Sequence, residues 1–366
     1  MSHVLCGMRL TFLLLAFDFV TFKMTRTLFF PFLFFYSLIL LSCTSQAHID
    51  IDVTEKVNGV NFVSPPAPIL VKDVSPIQEI GANWITIIPY AFTDPMQAQV
   101  SFGKGQWWGE KPQGVSTLLT YAQQLGLKVM LKPHLWVLGQ GWAGDLSFAT
   151  DVEWSCWEKE YTHYILTYAK LAQQYECDIF CIGTEMRQSV KKRSHFWGKL
   201  IRQVKNIYQG RLTYAANWDN YTHVSFWKEL DYIGIDAYFP LSRKKNPSPM
   251  EIEETWKTIS QELKSFSEKN NMPILFTEYG YRSIEYTTKS PWVSERVALS
   301  SKNDQAQCNA YEALFETFWN KKWFAGGFLW KWYPQSMLEG SPKPTGYSPQ
   351  GKKAIKIIKK YYVIKD

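Results

Sequence analysis

Short apolar runs alternate along this chain with stretches of helical periodicity, and the two kinds of segment take turns eight times. Strands are predicted over residues 57–63, 84–90, 128–134, 177–185, 211–217, 232–238, 274–278 and 325–330. Helical patterns follow each, over 75–80, 114–125, 154–175, 195–208, 224–230, 251–269, 304–319 and 349–361. The run CDIFCIGTEM is apolar on both faces, as suits a parallel strand covered on both sides. The clearest helix places Ile252, Trp256, Ile259, Leu263 and Phe266 at alternating spacings of four and three, one stripe on a helical period. Strands alternating with helices through short connections imply a parallel sheet with helical crossovers, and eight such pairs imply an α/β fold closed as a single (β/α)8 TIM barrel.

Alternation also forecasts which side chains the barrel mouth collects, because residues two apart on a strand share a face. The third strand would carry Met130, Lys132 and His134 inward, and the fourth Ile179, Cys181, Gly183 and Glu185. The fifth would add Ala215 and Asn217, the sixth Gly234, Asp236 and Tyr238, and the eighth Phe328 and Trp330. On the seventh, Ile274, Phe276 and Glu278 share a face, so two apolar strands end in a glutamate, each after a threonine. The long connections 91–112, 135–153 and 279–303 fall on the same side and bring Trp107, Trp108, Trp136, Trp142, Tyr281 and Trp292. Long loops in a compact domain tend to be functional, and barrels keep their chemistry at this end.

Composition changes the picture in three ways. The 366 residues include 16 Trp, 20 Tyr and 23 Phe, ring area in excess of what a core needs and suited to flat or amphipathic ligands. The net charge of +7 is spread over short clusters such as Lys191 to Arg193, with no aromatic-interleaved basic stripe, so nucleic acid is not an expected partner. The N-terminus reads as a targeting segment: residues 28–41 are an apolar run after Lys23 and Arg26, of h-region length, ending Leu-Ser-Cys at Cys43. This divides the chain into a lipoprotein-type signal over 1–42, a tether over 43–55 and a catalytic barrel over 56–366. It makes Cys43 the expected lipid attachment site and a membrane the expected partner, on an exported protein. An ordinary secretory signal or an uncleaved anchor stays open, as does a start at Met24. Cys156, Cys177, Cys181 and Cys308 are expected as buried free thiols, since no spacing fits a disulfide framework or zinc site.

Two carboxylates across a cleft are what glycosidic cleavage needs, one protonated for the leaving oxygen and one ionised as nucleophile or base. Tryptophan faces suit the apolar C–H patches of a pyranose, so a polysaccharide or oligosaccharide is the expected partner. The expected substrate-binding set is His134, Trp136, Trp142, Asn217, Trp218, Asp236, Tyr238, Tyr281 and Trp330. Blander readings stay open: Lys132 and Asp236 as a buried structural pair, Asn217 as a turn residue, Trp330 as core, and either glutamate alone as a helix N-terminal carboxylate. No HExxH or comparable cluster calls for a metal, no phosphate loop or GxSxG elbow appears, no cofactor is expected, and no obligate protein partner is evident.

Glutamates closing the fourth and seventh strands of a (β/α)8 barrel resemble clan A of the glycoside hydrolases. The strings IGTEM, IDAYFPL, FTEYGYRS, GFLWKW and YSPQGKKA are most similar to glycoside hydrolase family 113, the β-mannanases, with the resemblance running over about 57–361. The resemblance implies retaining cleavage of β-1,4-mannosidic bonds, with Glu185 as general acid/base and Glu278 as nucleophile. It also implies that Tyr238 bonds the nucleophile and that Trp330 floors the reacting subsite. Another β-glycan as substrate, and a non-catalytic carbohydrate-binding barrel, are the alternatives. Thr184 stands where many clan members place asparagine before the acid/base, which leaves the partner of the sugar's 2-hydroxyl open.

Overall fold

The computed structural model describes residues 53, 55–293, 300–338 and 344–363. Cys43, the targeting segment and all of the tether but Val53 and Glu55 lie outside the described residues. In chain order the strands are β1 (Val57–Phe62), β2 (Trp84–Ile87), β3 (Tyr90–Asp94), β4 (Gln99–Ser101), β5 (Lys128–Leu131), β6 (His134–Val137), β7 (Ile179–Thr184), β8 (Arg211–Asn217), β9 (Tyr232–Asp236), β10 (Ile274–Tyr279) and β11 (Phe324–Trp332). The α-helices are α1 (Pro112–Gln124), α2 (Asp151–Gln174), α3 (Arg187–Lys192), α4 (Ser194–Lys205), α5 (Pro249–Asn270), α6 (Asp304–Phe318) and α7 (Ala354–Tyr362). Strands β1, β2, β5, β7, β8, β9, β10 and β11 pair in that order, all parallel, and β11 closes on β1: a (β/α)8 barrel.

Each barrel strand is apolar on two faces because each is covered twice. Trp84, Met130, Ile179, Cys181, Ala215, Leu275 and Phe328 belong to the inner cluster, whereas Phe180, Ile182, Ile233, Ile235, Ile274 and Phe276 pack under the helices. Phe328 fills the barrel beside Gly59, where a Cβ would fall 2.3 Å from its ring. Helix α5 shows how local sequence sets an element. Ser248 accepts from the Glu251 N–H at 3.3 Å while the Glu251 carboxylate accepts from the Ser248 N–H at 3.0 Å, Pro249 opens the first turn, and Asn271 ends the helix at φ 51°. Its stripe buries Ile252, Trp256 and Leu263, with Ile259 and Phe266 half-buried at the edges.

The structure departs from the periodicity in five places. The expected strands at 84–90 and 128–134 each break in two, at Pro89 and Pro133, which lack the N–H a ladder needs. Beyond the break the chain leaves the barrel, and β3, β4 and β6 form a separate three-stranded sheet, with the His134 N–H donating to the Pro89 carbonyl at 2.8 Å. The segment at 224–230 is only two 3-10 turns, Tyr221–His223 and Trp227–Glu229, tied by the Trp227 indole donating to the Tyr221 carbonyl. That stretch is too short for a full crossover helix with its two connections. The turn at 75–80 is likewise 3-10 and stops at Gly81 with φ 79°. The four cysteines among the described residues are all free, but Cys156 is exposed rather than buried, on α2.

The fifth departure bears on function. On β10 the inward residues are Leu275 and Thr277, whose hydroxyl donates to Asp236 Oδ1 at 2.7 Å, while Ile274 and Phe276 face the helices, opposite to simple alternation. The register then slips between Phe276 and Glu278 against β9, and between Phe276 and Tyr279 against β11. This irregularity turns Glu278 into the mouth in spite of its parity, as bulges do when they re-aim a side chain. A slip also occurs on β7 between Cys181 and Thr184, and Glu185 follows it in the left-handed region at φ 52°.

Candidate active site

Glu278 sits at the centre of a buried polar cluster, with 6% of its surface exposed. Lys132, fully buried, places its ammonium 2.7 Å from Glu278 Oε1 and 3.0 Å from Asp236 Oδ1. The Tyr238 hydroxyl donates to Glu278 Oε2 at 2.7 Å. Burial and then the charge of Asp236 push Glu278 up to about 7, against the opposing pull of Lys132 and Tyr238. Burial would by itself lower the lysine, but the two carboxylates hold its proton firmly, so it stays a cation. His134 Nε2 lies 3.6 Å from Glu278 Oε1, and burial followed by the Lys132 charge lowers its pKa well below the usual imidazole value, leaving it neutral.

Glu185 has a different setting. It is half-buried, and its Oε2 accepts from the Trp142 indole N–H at 2.5 Å. Its backbone N–H donates to the Ala215 carbonyl at 2.7 Å, which helps hold a conformation that non-glycine residues rarely adopt. Burial first, then the charges of Asp236 and Glu278, raise its pKa well above the usual carboxylate range. Among the described residues no cation pairs with Glu185, so burial there meets less opposition than at Glu278, where Lys132 favours the ionised form.

Of the expected residues, Tyr238 and His134 lie against Glu278 and Trp142 against Glu185. His134 stacks parallel to Trp330 at 6.1 Å between centroids and meets the edge of Tyr90 at 5.1 Å. Asn217 closes β8 opposite Asp236, its Oδ1 accepting from the Trp218 N–H at 3.0 Å. Trp218 stacks on Trp292 at 5.3 Å, and Trp292 keeps 46% of its surface exposed. Trp136, 43% exposed, lies against Gly141 on the projecting sheet. Asp236 is sealed beneath the mouth with no exposed surface, held by Lys132 and Thr277. That is the buried-pair reading rather than direct contact with a ligand. Tyr281 does not reach the mouth: it is 1% exposed and packs in the outer core 5.4 Å from Tyr311. After the β10 irregularity both Tyr279 and Tyr281 turn toward the helices, so a residue just past Glu278 is lost from the cleft.

The sequence reading missed one contact and two participants. Lys132 reaches Glu278 as well as Asp236, a second partner that no spacing announces. Tyr90 lies beyond Pro89, where the two-residue period restarts in another sheet. Arg187 places its guanidinium 5.0 Å from the centre of the Trp142 ring, and its only sequence signal is that it follows Glu185 by two. Among the described residues no group of three His, Cys, Asp or Glu side chains converges as a metal site.

A (β/α)8 barrel with one cation-bound carboxylate, one proton-retaining carboxyl and aromatic walls has the equipment of the glycoside-cleaving barrels. The comparisons give the family. The model of glycoside hydrolase family 113 matches residues 68–352, and the chain belongs to that family, making it a glycoside hydrolase. A family 113 β-mannanase from Alicyclobacillus acidocaldarius, solved in complex with ManMIm, is similar at 23% identity, over 85% of this chain and 98% of that one, with a TM-score of 0.73. A family 113 β-1,4-mannanase, solved as a complex, is similar at 25% identity, over 84% and 99%, also with a TM-score of 0.73. A β-glucuronidase from Ruminococcus gnavus shares the fold alone, at 12% identity and a TM-score of 0.57, over 86% of this chain and 50% of that one. No curated protein matches the sequence.

Proposed function

We propose that this chain is a retaining glycoside hydrolase that cleaves β-1,4-mannosidic bonds in mannan or manno-oligosaccharides by double displacement. The observation that carries the mechanism is the asymmetry of the two carboxyls: Lys132 and Tyr238 on Glu278, and on Glu185 an indole with no paired cation among the described residues. Glu278 attacks the anomeric carbon while Glu185 gives its proton to the departing glycosidic oxygen, and a glycosyl ester of Glu278 forms. Glu185, now ionised, takes a proton from water as that water attacks the anomeric carbon, freeing the sugar and restoring both groups. Trp330, stacked beside neutral His134, floors the reacting sugar, and the stacked Trp218 and Trp292 offer a platform for a neighbouring one. The choice of mannan is supported by the β-mannanases of the family that match nearly end to end.

The deciding experiment is product analysis on mannan, β-glucan and xylan with residues 46–366. Manno-oligosaccharides formed with the β-anomer first are expected; release from glucan or xylan alone refutes the mannan reading, and the α-anomer first refutes retention. The exported, lipid-anchored state is proposed on the N-terminal sequence and is tested by fatty-acid labelling, expected for the wild type and absent from Cys43→Ala.

A further inference from the structure

The Trp142 indole is mounted rather than merely packed. Its ring lies on the backbone of Gly144, where a Cβ would stand 2.2 to 2.5 Å from ring carbons, so only glycine leaves it room. The Arg187 guanidinium covers the ring as well, 5.0 Å from its centre. Arg187 is in turn held from two loops, donating to Asp145 Oδ1 and lying 3.7 Å from Asp219 Oδ2. Its backbone N–H donates to the Glu185 carbonyl at 2.9 Å, so the clamp on the indole and the turn that presents the carboxyl are one local unit.

We propose that Trp142, seated by Gly144 and Arg187, is a positioning residue that immobilises Oε2 of Glu185 and reserves Oε1 for the proton exchanged with the glycosidic oxygen and then with water. The inference rests on the double displacement proposed above and adds to it how one carboxyl serves both half-reactions. An N–H donor favours the charged form and so opposes burial, which favours the neutral one. With the bond in place the group protonates the leaving oxygen and still becomes a base for the second step.

Trp142→Phe keeps the ring and removes the donor. Its expected effect is an alkaline limb of kcat/KM moved up by about one pH unit, the size of one hydrogen bond to a carboxylate. On an activated aryl mannoside, kcat falls about ten-fold, because the second step then relies on a poorly ionised base. Arg187→Met leaves the indole but removes its clamp, and moves the same limb in the same direction by less. A Trp142→Phe limb that coincides with wild type overturns the inference; should that variant lose its thermal transition, the Arg187→Met limb decides by the same criterion. Glu185→Gln is run alongside. If it retains wild-type activity on mannan, the displacement scheme itself fails, whereas an inactive Glu185→Gln with an unmoved Trp142→Phe profile refutes the positioning role alone.

Discussion

The ends of β7 and β10 read almost alike, an apolar run followed by Thr-Glu, and both deliver the glutamate through a slip in strand register. The surroundings then make them opposites. Glu278 is enclosed, with a lysine and a phenol bonded to its two oxygens. Glu185 is half-buried in a left-handed turn and meets one indole. Burial raises both, and the difference lies in what opposes it: a full charge at 2.7 Å against a neutral dipole at 2.5 Å. Two identical side chains in near-identical local sequences thereby acquire different surroundings, and the partners that separate them come from the residue just after β5, from the segment after β9 and from the loop after β6.

The most direct way to break this comparison is to neutralise each member. Glu278→Gln is expected to lose about 10⁴-fold or more of kcat on every substrate, because no other group takes its place at the anomeric carbon. Glu185→Gln is expected to lose about 10²- to 10⁴-fold on mannan but far less in the first step on an aryl mannoside whose leaving group needs no proton. Equal losses on both substrates, followed by stopped-flow release of the aryl group, would remove the distinction between the two.

Removing the cation tests what makes Glu278 different. Lys132→Met leaves Asp236 and Glu278 buried without a counter-charge, at an expected cost of about 3–5 kcal/mol in denaturant unfolding at neutral pH. The carboxylates relieve that cost by taking protons, so the deficit shrinks in acid, and the acid limb of kcat/KM moves to higher pH than in the wild type. A deficit independent of pH would show that lost packing, not lost charge, is responsible.

A smaller effect follows from linkage. Glu185 has a folded pKa raised above its unfolded value, so the folded state binds more protons and loses stability as pH climbs from the unfolded toward the folded pKa. Glu185→Gln removes that loss. Its melting temperature is expected to exceed that of the wild type by roughly 2–4 °C above neutrality, with the advantage gone at pH 4. A gain that persists at pH 4 would trace to something other than titration.

Much of this molecule was legible in its sequence. Eight alternating units predicted the closed barrel because a strand with two apolar faces needs cover on both, and a parallel neighbour needs a helical return. Simple parity also placed Met130, Lys132, Asp236 and Phe328 on the inner side, since nothing between them disturbs the two-residue period. It failed on β10, where Glu278 reaches the mouth only through an irregularity, and past Pro89 and Pro133, where the chain changes sheets.

The sequence by itself determined which segments alternate, where they turn and which two strand ends carry an acid, because these follow from side-chain period and backbone chemistry within a few residues. Only the tertiary structure decided what surrounds each acid and so how readily it gives up its proton. A carboxyl's affinity for its proton depends on charges and donors within a few ångströms, and those that matter here, Lys132, Tyr238 and Trp142, are 146, 40 and 43 residues away along the chain from the glutamates they touch.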